Sequence, residues 1–106
     1  MHSSQYPVYT TGSWQPFPAQ EEAFVAAWEE FARWAGGLDG AGEAILARDV
    51  RAEGRYVSLV GWESMEAVRG WKGHPEFKER MSRVQQFIDK FAPTELEVVA
   101  RLQDAA

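Results

Sequence analysis

The stretch Tyr56–Phe91, YVSLVGWESMEAVRGWKGHPEFKERMSRVQQFIDKF, decides the fold. Its first seven residues are β-branched, aromatic or small, and read as a strand over Tyr56–Trp62. Strand alternation puts Tyr56, Ser58, Val60 and Trp62 on one face and Val57, Leu59 and Gly61 on the other. Both faces are largely apolar, so both need covering. Ser64 is a good N-cap, and a short helix is expected over Met65–Trp71. Lys72-Gly73 breaks it. His74-Pro75-Glu76 restarts the helix, with Pro at the first helical position and Glu in the first turn. Phe77, Met81, Val84, Ile88 and Phe91 step by four and three, which predicts one long helix to about Phe91, ended by Pro93.

Working outward, Val8–Trp14 (VYTTGSW) reads as a first strand, with Gly12 as a bulge or a point of close approach. Two prolines in Gln15-Pro16-Phe17-Pro18 end it. Ala19–Ala35 reads as a helix whose Phe24, Ala27, Trp28, Phe31, Trp34 and Ala35 make an apolar face, stopped at Gly36-Gly37. Glu43–Ala52 reads as a second strand, and Glu53-Gly54-Arg55 as a tight connection to the third. Thr94–Leu102 reads as the fourth strand. The order is β-α-β-β-α-β with a short additional helix: an α+β, ferredoxin-like domain with an antiparallel sheet and its helices on one face. The uncovered face is expected to pair with a second copy, giving a homodimer. Residues 1–7 are expected to be a flexible lead-in, and 8–103 a single domain.

Composition narrows the function classes. The chain has 106 residues, a net charge of −5, and 16 acids against 11 bases. No basic run or stripe is present, so no nucleic acid partner is expected. Cysteine is absent and histidine occurs twice, which leaves no thiolate chemistry, no disulfide and no convincing metal site. No apolar run approaches the length of a membrane span, and the first residues lack a signal core, so a cytoplasmic protein is expected. Five Trp, six Phe and three Tyr are many for this length and point to a pocket or an interface.

These residues resemble the antibiotic biosynthesis monooxygenase family, a branch of the dimeric α+β barrel proteins. The resemblance rests on Trp62-Glu63-Ser64 closing the strand, on the continuation EAVRGWKGHPEFKE, and on the upstream EEAFVAAWEEFA with its Gly-rich close. It covers roughly residues 8 to 102. It implies a homodimeric barrel with a pocket between helices and sheet in each subunit. It also implies cofactor-independent oxygenation of a small planar aromatic, of quinol, anthrone or polyketide type, or else oxidative haem degradation. Anthrone-type members carry an Asn four residues before the strand Trp, where Ser58 stands here, and a Tyr six residues after it, where Val68 stands. Haem degraders carry an axial His ten residues after a helix Trp; Trp71 matches that Trp, but Met81 stands at the His position. The chain has no Asn at all. Haem chemistry of the known kind is therefore not expected, and no cofactor is.

Each candidate site residue has a plain structural alternative. Trp62 and Trp71 either hold an aromatic substrate or fill core. Tyr56 and Ser58 are the polar members of the Trp62 face and could orient a ligand oxygen; Ser58 lacks the G-x-S-x-G setting of a nucleophile. His74 is either an acid–base group or a cap before Pro75. The expected site is thus Ser58 and His74 for proton handling, with Trp62, Trp71 and Tyr56 around the ring. The alternative is a ligand-binding or accessory barrel that keeps the fold without the chemistry.

Overall fold

A computed structural model describes residues 5–102. It contains β1 (Val8–Pro16), α1 (Glu21–Ala35), β2 (Ala41–Arg48), β3 (Tyr56–Trp62), α2 (Met65–Lys72), α3 (Phe77–Gln85) and β4 (Ile88–Glu97). The strands form one sheet in the order β2-β3-β1-β4, with every neighbouring pair antiparallel. This is the ferredoxin-like arrangement. Residues 1–4 of the expected lead-in and residue 103 of the expected domain lie outside the described residues. Among the described residues, no helix is long and apolar enough to cross a membrane.

The alternation expected for β3 is realised over Tyr56–Leu59 and breaks at its end, where Val60 is half-buried and Gly61 is buried. Tyr56, Ser58 and Trp62 are buried, whereas Leu59 on the other face is exposed. Strand β1 behaves alike, with Val8, Thr10 and Trp14 buried among half-buried neighbours. The helices close over this face. From α1 come Phe24, Trp28, Phe31 and Ala35, from α2 Val68 and Trp71, and from α3 Met81 and Val84. Trp62, Phe24, Val68 and Val84 are the largest fully buried side chains and mark the centre of the core. Ser64 caps α2 as expected: its side chain accepts from the Ala67 N–H at 3.1 Å.

Several boundaries differ from the sequence-based expectation, among them the end of β1 at Pro16 rather than Trp14 and the start of β2 at Ala41 rather than Glu43. The long third helix stops at Gln85, and Ile88 and Phe91 belong to β4. The apolar stripe misleads because a β-bulge imitates a helical step. Ile88 opposes Pro16, Lys90 opposes Gln15 and Phe91 opposes Trp14, so Asp89 is an extra residue. The bulge returns Ile88 and Phe91 to one face at a spacing of three, as a helix would. Pro93 then lies inside β4, tolerated because β4 is an edge strand. The fourth strand accordingly runs Ile88–Glu97 rather than Thr94–Leu102, ending where Val8 opposes Glu97 and β1 runs out.

The second strand ends at Arg48, not Ala52. The Asp49 carboxylate accepts from the backbone N–H groups of Arg51 at 2.8 Å and Ala52 at 3.2 Å, which turns the chain before a ladder can continue. Helix α1 starts two residues late because Ala19 takes a left-handed φ of 71° after Pro18.

Candidate active site

A cavity of about 240 Å³ lies between the sheet and helices α1 and α3. Its walls are aromatic and aliphatic: Trp14, Trp28, Phe31, Trp71, Phe77 and Phe91 contribute most of them. Two helical side chains, Phe31 and Phe77, meet edge to face at 5.9 Å, and Trp71 packs on both. The polar groups are few. Thr10 and Ser58, on the inner face of the sheet, offer hydroxyls, Gln85 an amide, and Lys72 is the one ionisable side chain on the wall among the described residues. Lys72 is held by Glu95 through a 2.6 Å ion pair.

Period-two geometry explains the hydroxyls. Thr10, Gly12 and Trp14 share the inner face of β1, and Ser58 stands directly across from Gly12 on β3. The Trp14 Nε1–H donates to Ser58 Oγ at 2.9 Å, and the Trp62 Nε1–H donates to Thr10 Oγ1 at 3.0 Å. Gly12 makes the first of these bonds possible. A Cβ there would sit 2.8 Å from Trp14 Nε1 and 3.0 Å from Ser58 Oγ. Gly12 is therefore a point of close approach. Trp14 also stacks on Phe91, with ring centroids 4.2 Å apart.

The five expected site residues divide into three places. Ser58 and Trp71 both line the cavity. Trp62 lies fully buried against Trp71, with ring centroids 4.9 Å apart, so it supports that wall from behind. Tyr56 sits at the other end of β3, where its hydroxyl donates to Glu21 Oε1 at 2.6 Å. It borders a shallow depression with Arg48, Glu29 and Trp28. The Arg48 guanidinium stands 5.7 Å from the Tyr56 ring centroid, and the phenol oxygen raises its pKa further above the usual arginine range. Trp28 borders both this depression and the cavity.

His74 lies in a third place, a notch shared with Asp39, Glu63, Ser64 and the far side of Trp71. Its Nδ1 accepts from the Glu76 N–H at 3.0 Å, which satisfies a donor in the turn before α3, and its ring meets the Trp34 edge at 5.2 Å. The structure thus brings Ser58 and Trp71 together and leaves His74 and Tyr56 on other surfaces. Thr10, Trp14, Trp28 and Phe91 are cavity residues that sequence reading left out. For Thr10 and Trp14 a signal was present: both fall on the inner face of VYTTGSW by simple alternation.

Trp71 carries one further feature. Its indole Nε1 is buried and has no hydrogen-bond partner among the described residues. Nor does any group of three His, Asp or Glu side chains among the described residues come together as a metal site.

Comparisons with known proteins agree with the fold. The family model for antibiotic biosynthesis monooxygenase matches residues 7–83. The chain belongs to that family. Its fold matches the cofactor-independent oxygenase SnoaB from Streptomyces nogalater with a TM-score of 0.81, at 16% identity over 92% of this chain and 97% of that one. It also matches Rv0793 from Mycobacterium tuberculosis with a TM-score of 0.72, at 21% identity over 93% and 98% of the two chains. No curated protein matches it in sequence. At such identities these likenesses carry the monooxygenase-family fold and leave the chemistry of the cavity to its own residues.

Proposed function

We propose that this family member is a cofactor-independent oxygenase of a small, reduced, planar aromatic, bound in the helix–sheet cavity. The observation that carries the reading is the cavity itself: an aromatic slot with two hydroxyls set in one wall. Its size bounds the substrate. A cavity of about 150 Å³ accepts benzene, and drug-sized ligands need upwards of about 300 Å³. A space of about 240 Å³ therefore suits one or two rings, and a three-ring anthrone needs the walls to part.

The chemistry asks little of the protein. A hydroxyarene with an open ring C–H takes up one dioxygen; one oxygen atom becomes a second carbonyl, the other leaves as water, and a quinone results. The substrate anion supplies the electrons. The apolar walls exclude bulk water, and Ser58 holds the substrate oxygen while Lys72 favours its anionic form. Association through the open sheet face, where Ile45, Leu59 and Leu96 are exposed, belongs to the same proposal, as does a cytoplasmic setting.

The test is oxygen uptake with one-, two- and three-ring quinols and naphthols. Uptake above buffer, greatest for the two-ring compounds and reduced at least tenfold in Ser58→Ala, is the expected result. Uptake indistinguishable from buffer across the panel would end the oxygenase reading. His74→Ala decides the share of His74: unchanged turnover confines it to its turn, and lost turnover with unaltered melting returns it to the site.

A second reading is favoured by one observation. Among the described residues the wall holds no carboxylate and no histidine, so none of their side chains there serves as a general base. A binding or accessory protein of the same fold needs none. Ligand-induced stabilisation without oxygen uptake identifies that case.

A further inference from the structure

The cavity wall contains two hydroxyls whose hydrogen bonding is half complete. Thr10 is 6% exposed and Ser58 is 5% exposed, so neither is solvated from outside. Each accepts one indole N–H, from Trp62 and Trp14 respectively. A hydroxyl also has a proton to donate. Neither hydroxyl donates to any acceptor among the described residues, although both border the same cavity. An accepted N–H polarises the O–H and strengthens it as a donor, and a buried donor without an acceptor is unfavourable until something supplies one.

We infer that Thr10 and Ser58 form a donor wall that recognises an acceptor oxygen of the ligand, a carbonyl or phenolate on an aromatic ring. Fixed indole donors leave the hydroxyl protons as the groups that meet the ligand. The wall therefore ranks ligands by acceptor strength: quinone carbonyl or phenolate above the bare hydrocarbon. The two hydroxyls occupy diagonal positions, Thr10 opposite Val60 and Ser58 opposite Gly12, on the same face of adjacent strands. That spacing sets the acceptor edge of the ring along β1 and β3. The opposite walls, Phe31 and Phe77, carry no polar atom and take the hydrocarbon. Lys72 borders the same cavity, and its partner Glu95 pairs with Thr10 across β1 and β4, so an ion pair stands near the Thr10 end.

The inference rests on the cavity being the ligand site, and binding tests it without turnover. Naphthalene, 1,4-naphthoquinone and 2-naphthol are titrated into the whole protein, with quenching of tryptophan fluorescence as the readout. In the unaltered protein the quinone binds about tenfold more tightly than naphthalene, and 2-naphthol binds more tightly as pH rises toward its ionisation. Thr10→Val and Ser58→Ala each reduce the quinone preference severalfold, and together they abolish it. Naphthalene affinity stays within about twofold in each single variant, and native far-UV circular dichroism shows that it is folded; should the double variant lose its fold, an undiminished quinone preference in both single variants overturns the donor wall instead. Equal quinone preference in the double variant overturns the donor wall while leaving the cavity as a ligand site. Failure of all three probes to bind overturns both the donor wall and the proposed function. Binding as inferred, with no oxygen uptake, leaves the donor wall in place and removes only the oxygenase reading.

Discussion

The two faces of the sheet solve different problems with similar residues. On the inner face, β1 and β3 present Thr10, Trp14, Ser58 and Trp62, all buried under the helices. Each indole N–H there is spent on a hydroxyl of the neighbouring strand. On the outer face the same strands present Leu59 and, across from it on β2, Ile45, both left exposed, with Leu96 beside them on β4. The inner face has polar atoms that the fold must satisfy, and it does so pairwise. The outer face has apolar surface that one chain leaves in water. The contrast shows that a buried face and an exposed apolar face are written into one strand by alternation.

The strongest way to break this contrast is to empty the inner face. Trp62→Ala removes a fully buried ring from beneath Trp71. A loss of about 3–5 kcal/mol is expected in urea or thermal unfolding, enough to leave little folded protein in so small a domain. A loss under about 1 kcal/mol would mean that Trp62 is not central to the core.

Charging the outer face should act on association instead. Leu59→Glu, at a position already 36% exposed, is expected to leave far-UV circular dichroism unchanged. It should weaken self-association by a hundredfold or more, because an unpaired carboxylate would have to be buried between copies. Sedimentation velocity at micromolar concentration reads this directly, and an unchanged association constant would move the contact elsewhere.

Smaller effects sharpen the polar half of the comparison. Ser58→Ala orphans the Trp14 N–H, and Thr10→Val orphans that of Trp62. Each should cost about 1–3 kcal/mol in denaturant unfolding, and the two should be nearly additive because they share no partner. Removing both members of a pair, as in Trp14→Phe with Ser58→Ala, should lose less than the sum of the separate changes. A strictly additive double variant would show that the bond contributes nothing beyond packing.

The smallest effect lies outside both faces, in the β2–β3 turn. Backbone N–H of Arg51, then the Arg55 guanidinium, hold the Asp49 carboxyl below its ordinary value of 3.8. A depressed folded value means stabilisation that is present above the ordinary value and lost as pH falls through the depressed one. The melting difference between the unaltered protein and Asp49→Asn should therefore be steady at neutral pH and shrink below roughly pH 4. Because the turn is exposed, a shift of a few degrees at most is expected.

Legibility in the sequence followed the range of the interactions. Strand β3 was read to the residue, since Tyr56–Trp62 alternates over its first residues and ends at a capping Ser64. The stripe ending in Ile88 and Phe91 was read as helix, because a bulge against Pro16 gives the same spacing as a helical turn. Only the register with β1 separates the two. The extent of β2 failed for a local reason, the capture of two backbone donors by Asp49, which an Asp followed by Val-Arg-Ala does not advertise. In the candidate site, Ser58 and Trp71 were legible from β3 and the helix break. Trp14 lies 44 residues from Ser58 and Thr10 lies 52 residues from Trp62, and each reaches its partner only through strand pairing. His74 shows the converse. Its neighbourhood with Trp71 in sequence suggested one site, yet Trp71 stands as the wall between the His74 notch and the cavity.

By itself the sequence determined the element order, the family and the two-faced character of the central strand, since these depend on residue type and short-range periodicity. It also determined that any chemistry of these 106 residues would proceed without a cysteine or an asparagine. The tertiary structure alone decided which indole meets which hydroxyl, that Ser58 and Thr10 border one cavity, and that His74 does not. Those facts depend on the registers of β1 against β3 and β4, where a shift of one residue would turn every side chain to the other face.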